Sequence, residues 1–133
     1  PTVFTNYAII LSEKNIFNDA ISLFKQSIKF YPNFFSAYLN FTNCLRKVGK
    51  YDEARHIATI AINLKPNSFV AHNNLGLIFL SLNQLKDAEL SFRQSINLHS
   101  SFAEAHNNLG IVYLNQGKLE EAESTIRLAL TYP

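Results

Sequence analysis

Cysteine occurs once in the 133 residues, at Cys44, so no intrachain disulfide and no Cys/His cluster with metal spacing can hold this fold together. Packing alone must do it. No apolar run reaches the roughly 18 residues that cross a bilayer, and no signal-peptide pattern opens the chain. A cytoplasmic or similarly reducing compartment is therefore expected. Methionine is absent even from the first position, and the sequence stops at Thr131-Tyr132-Pro133, so a longer parent polypeptide is expected. Charge of one sign is also scarce. Twelve basic and ten acidic side chains leave +2, split as +4 over residues 1–67 and −2 over residues 68–133. That is too little to steer nucleic acid or an anionic membrane. Gly-rich phosphate loops, nucleophile elbows and metal-protease motifs are missing, so neither a catalytic site nor a cofactor is expected. With 47% apolar residues the chain should nevertheless fold.

What is present is a repeat. Shifting the chain against itself by 34 residues aligns AHNNLG at Ala71–Gly76 with AHNNLG at Ala105–Gly110, and gives units 1–34, 35–68, 69–102 and 103–133. Each unit reads as two helices. Column 15 of the repeat holds Asn15, Gly49, Asn83 and Gly117, the residue types that best accept the left-handed conformation ending a helix. Column 19 is always acidic (Asp19, Glu53, Asp87, Glu121), which suits the start of a second helix. Pro32 and Pro66 stop that second helix; Ser100 takes the place in the third unit, with Ser101 expected to cap the next helix.

Small residues recur at column 8 (Ala8, Thr42, Gly76, Gly110), column 20 (Ala20, Ala54, Ala88, Ala122) and column 27 (Ser27, Ala61, Ser95, Ala129). They allow two helix backbones to approach closely. Large apolar residues beside them are expected to fill the core at column 7 (Tyr7, Phe41, Leu75, Leu109), column 11 (Leu11, Leu45, Phe79, Tyr113) and column 28 (Ile28, Ile62, Ile96, Leu130).

These columns resemble the tetratricopeptide repeat family over the whole chain. The third unit supplies Leu75-Gly76, Phe79, Ala88 and Phe92, and the fourth Leu109-Gly110, Tyr113, Gly117, Ala122 and Ala129. Departures are His72 and His106 at the usual aromatic column 4, and Ala58 and Ile126 in place of Phe at column 24. The resemblance implies an all-α fold, a right-handed α-solenoid of four antiparallel helix hairpins forming a single domain over residues 1–133. It also implies a concave surface lined by columns 2, 5, 6, 9, 12 and 13 of the first helices. AHNNLG is similar to the repeats of O-linked N-acetylglucosamine transferases, where asparagine ladders of this kind occur.

Column 6 is Asn6, Asn40, Asn74 and Asn108, although Asn is a poor helix former. A primary amide carries one acceptor and two donors, so such a column could bond the backbone of an extended peptide. Helices about 8–10 Å apart would meet about every third residue of a chain advancing roughly 3.3 Å per residue. Four net bonds of about 0.5–1.5 kcal/mol each fall short of the about 8 kcal/mol that micromolar binding needs. Asn43, Asn73 and Asn107, together with an apolar strip of Ile9, Leu77, Ile111, Leu80 and Leu114, are expected to supply the rest, with Arg46 and Lys47 adding charge. The alternatives are that the column is a copy inherited by duplication that faces water, and that part of the strip packs on the adjacent helix. A carboxylate clamp for peptide C-termini is not expected, because column 5 is never basic and only Asn43 provides Asn at column 9.

His72 and His106 are read as ring fillers with a satisfied nitrogen, Cys44 as a small core residue, and Glu120, Glu121 and Glu123 as residues suited to a helix start. RNA-reading repeats carry basic and aromatic groove residues that are sparse here. The function expected is a protein-interaction scaffold with a protein or peptide segment as partner. Two alternatives stay open: the substrate-recruiting arm of a glycosyltransferase-type enzyme, and a spacer or self-association module. No capping helix follows the fourth unit, so dimerisation or end-to-end stacking is also expected.

Overall fold

The computed structural model describes all 133 residues as helices joined by short turns: α1 (Thr2–Glu13), α2 (Phe17–Phe30), α3 (Phe35–Val48), α4 (Tyr51–Leu64), α5 (Phe69–Ser81), α6 (Leu85–Leu98), α7 (Ala103–Asn115) and α8 (Leu119–Leu130). The chain is all-α. Consecutive pairs form four helical hairpins, two in each of two compact units, Pro1–Pro66 and Asn67–Pro133.

The turn inside every hairpin follows from column 15. Asn15, Gly49, Asn83 and Gly117 all have positive φ, between 57° and 85°. The next residue then donates its N–H back across the helix end: Ile16 to Leu11, Lys50 to Leu45, Gln84 to Phe79 and Lys118 to Tyr113, at 2.8–3.0 Å. A left-handed residue that closes such a bond ends a helix cleanly and satisfies one of its terminal carbonyls. Acidic residues occupy the first turn of each second helix.

Capping departs from expectation at one place. Ser68 caps α5, its Oγ accepting from the Ala71 N–H at 3.2 Å. Ser101 does not cap α7, because that helix begins at Ala103 and Phe102 occupies the capping position. Ser101 therefore sits one residue too early.

In the first unit Phe24 stacks on Phe41 with ring centroids 5.4 Å apart, and Ala20 and Ala54 are fully buried. In the second, Ala88, Phe92, Leu109, Val112, Tyr113 and Ala122 form a continuous core. Cys44 is buried in the first unit. Burial pushes its thiol pKa up against the smaller effects of Ser12 and Lys47, so it behaves as a small apolar residue. Column 4 also has an assigned job. Tyr38 donates its hydroxyl to the Pro32 carbonyl at 2.8 Å, and His106 places Nε2 2.7 Å from the equivalent Ser100 carbonyl. A carbonyl only accepts, so Nε2 of His106 carries the proton.

Two expected core residues lie outside. Tyr7 is 55% exposed and Leu130 is 81% exposed. Phe41 and Leu109, which share the column of Tyr7, are covered by α2 and α6 of the preceding hairpin, whereas α1 packs on α2 and α3 only. Likewise Ile96 packs on the core that α7 contributes, and no helix packs on α8 beyond α7.

At column 8 a Cβ built on Gly76 would lie 2.6 Å from the Phe92 ring, and one on Gly110 would collide with Ile126. Gly76→Ala should therefore lower stability by about 1–3 kcal/mol through overpacking. Gly49→Asn, which retains a residue tolerant of φ 85°, should cost less in the same chemical denaturation measurement.

Candidate interaction site

Column 6 places its four asparagines in four environments. Asn6 is exposed on α1. Asn40 is half-buried and turns its Nδ2 back onto its own helix, donating to the Ser36 carbonyl at 2.8 Å and to Ser36 Oγ at 3.3 Å. Asn74 is 6% exposed, and its enclosed Nδ2 has no acceptor. Asn108 donates its Nδ2 to Asn73 Oδ1 at 3.1 Å, linking α7 to α5.

Asn73 is 1% exposed and continues this link by donating its own Nδ2 to Glu104 Oε1 at 3.4 Å. The order of the three groups determines every amide orientation. A carboxylate only accepts, so Asn73 must turn its nitrogen to Glu104 and its oxygen to Asn108. Glu104 was not singled out from the sequence. The available signal was its place four residues before Asn108, on the same side of α7.

The remaining expected residues are scattered. Asn107 is exposed, while Ile9, Ile111 and Asn43 are half-buried, with Asn43 Oδ1 enclosed and unpartnered. Leu77 and Leu80 are partly buried and pack against the core of the second unit, whereas Leu114 is exposed. Arg46 is half-buried with its Nε enclosed and unpartnered, and Lys47 pairs with Glu13 at 3.0 Å.

A separate cleft of about 290 Å³ in the second unit is lined by Arg93, Ile96, His106, Tyr113 and Leu128 among others. Its cation is already engaged: Arg93 donates to Glu89 at 3.1 Å and to the Tyr113 hydroxyl. Burial raises the Glu89 pKa, but the hydrogen bonds from Arg93 and Gln116 and the charges of Arg93 and Lys118 outweigh it and leave the carboxyl below its ordinary value.

These features define a helical-repeat protein with its unmet polar groups on the first helices. Family models agree on the repeat: "TPR repeat" matches residues 76–117, and "Tetratricopeptide repeat" matches residues 23–56 and, in a second model, residues 103–132. Tetratricopeptide repeats are thus identified within residues 23–56 and 76–132. Among solved structures it is similar to MamA from Desulfovibrio magneticus, with TM-score 0.88 and 20% identity over 96% of this chain and 72% of that one. It is also similar to a TPR protein of Thermus thermophilus, with TM-score 0.83 and 22% identity over 93% of this chain and 69% of that one. The first TPR of Spaghetti (RPAP3), bound to an HSP90 peptide, aligns with TM-score 0.83 and 16% identity over 87% and 92%. Identities this low establish the fold alone. Comparison with curated proteins finds no match. No helix is long and apolar enough to cross a membrane.

Two measurements check this geometry. Asn73→Ala should cost about 1–3 kcal/mol because it strands the Asn108 amide, whereas Asn6→Ala should change little, as read by thermal or chemical unfolding. A carboxyl held below its ordinary value adds stability that is complete above its unfolded pKa and lost as pH falls through the folded one. Glu89→Gln should accordingly reduce the loss of stability on acidification below about pH 4, measured by denaturation across that range.

Proposed function

We propose that this chain is a protein-interaction scaffold that holds an extended partner segment against its first helices, by binding and without chemistry of its own. The observation that carries the reading is where the unmet polar atoms lie. Four enclosed side-chain atoms lack a partner: Asn43 Oδ1, Arg46 Nε, Asn74 Nδ2 and Gln116 Oε1. In the first unit Asn43 and Arg46 occupy columns 9 and 12 of α3; in the second Asn74 occupies column 6 of α5 and Gln116 follows the end of α7. Buried polar groups in native proteins are nearly always hydrogen-bonded, and each one left unmet costs about 1–3 kcal/mol. A partner that reaches these groups as the side chains turn toward it recovers that cost on binding. The asparagines of column 6 serve this reading unequally: Asn74 has its donors unspent, while Asn40 and Asn108 have committed theirs within the chain. The HSP90 peptide held by the first TPR of Spaghetti supports the same use of this fold.

Self-association is a second reading, favoured by exposed apolar side chains at Val3, Tyr7 and Ile10 on α1 and at Leu119, Leu128 and Leu130 on α8. Columns 3, 7 and 10 of α1 recur as the buried Ala37, Phe41 and Cys44, so the α1 surface is of the kind that packs on a preceding second helix. Recruitment of substrate for a glycosyltransferase rests on the AHNNLG resemblance alone.

Replacing Asn74 by Leu, which is close in shape and removes the stranded donor, should leave stability unchanged or raised while weakening capture from an unbiased peptide library about tenfold or more. Equal capture by both proteins would remove the peptide-binding reading. Light scattering over a concentration range tests the second reading: the wild type should gain mass, and a Leu119→Lys, Leu130→Lys variant should stay monomeric.

A further inference from the structure

We infer that the second unit presents hydrogen-bond acceptors, and that the segment it takes is therefore rich in donors, neutral to basic in charge, and not acidic. This rests on the peptide-binding reading and names the chemistry of the partner. Asn108 spends its nitrogen on Asn73, and no group of the chain donates to its oxygen, which is not enclosed. Glu104 sets that orientation through Asn73, as a positioning residue two hydrogen bonds away from the oxygen it directs. Reversing the Asn108 amide would bring two oxygens together at 3.1 Å, so the acceptor end is held outward.

Charge points the same way. Among columns 2, 5, 6, 9, 12 and 13 of the second unit the side chains are Val70, Asn73, Asn74, Leu77, Leu80 and Ser81 on α5 and their counterparts on α7, of which Glu104 is the one acidic residue and none is basic. Asn73 occupies one of its oxygens; the other belongs to an exposed side chain and is open to a cation. A lysine or arginine of the partner would meet that oxygen while a backbone N–H meets Asn108 Oδ1. An acidic segment such as SRMEEVD, held by the first TPR of Spaghetti, would instead meet acceptors and a negative charge.

The test uses the full chain and three pools of short peptides that share alternating apolar residues and differ in carrying Lys, Gln or Glu between them. The Lys pool should bind most tightly and the Glu pool least, and Glu104→Gln should weaken the Lys pool about tenfold. Glu104→Lys places a donor at the head of the relay, inverts both amides and should reverse the order of the pools, an outcome that loss of folding does not mimic. The side-chain N–H signals of Asn108, slow to exchange in the wild type, should become fast in the same variant. An unchanged order of pools in Glu104→Lys, or a Glu pool that binds the wild type best, overturns the inference. If all pools bind equally and Asn74→Leu abolishes binding, the peptide-binding reading stands and this inference alone fails; if no pool binds the wild type, both fall together.

Discussion

The two helices of a hairpin meet closely at column 8, where the side chain has little room. Where that column is Gly76 or Gly110, the facing side chain from column 24, Phe92 or Ile126, occupies the space a Cβ would need. Where it is Ala8 or Thr42, the residue is still fully or almost fully buried. Alanine at column 20 meets the same demand from the second helix. Close backbones let the aromatic residues interlock, as Phe24 does with Phe41, and burial on that scale contributes about 25 cal/mol per Å² of apolar surface removed from water. With a single cysteine no intrachain disulfide assists, and this close packing is repeated in each hairpin.

Polar side chains follow a different logic because their energy depends on direction as well as distance. Column 6 is one residue type four times over, yet its members bond to a neighbouring turn, to an adjacent helix, to nothing, or face water. The difference lies in their surroundings. Asn40 has Ser36 one turn below it, and Asn108 has Asn73 across the interface between α7 and α5. A carboxylate at Glu104 then imposes a polarity on two amides that would otherwise be free to turn either way. The enclosed side-chain atoms left without a partner, on Asn43, Arg46, Asn74 and Gln116, lie on or at the end of first helices.

Self-similarity made the fold readable. A left-handed residue at column 15, acid at column 19 and small residues at columns 8 and 20 each have a local physical reason, and the structure shows all three. Tyr7 and Leu130 were misread because a repeat pattern says what a column packs against inside an array and says nothing about whether that neighbour is present. The expected cap at Ser101 failed for a shift of one residue, a scale on which helix ends are not encoded by residue type alone.

From the amino-acid sequence came the number of hairpins, the residues that end each first helix and the column of asparagines, since these depend on backbone conformation and periodicity within the chain. Tertiary structure decided which way the amides of Asn73 and Asn108 turn, which polar atoms remain unmet and how Glu104 joins that chain of hydrogen bonds. The physical reason is that a hydrogen bond is set by the partner it finds, and those partners lie as far apart in sequence as Asn73 and Asn108.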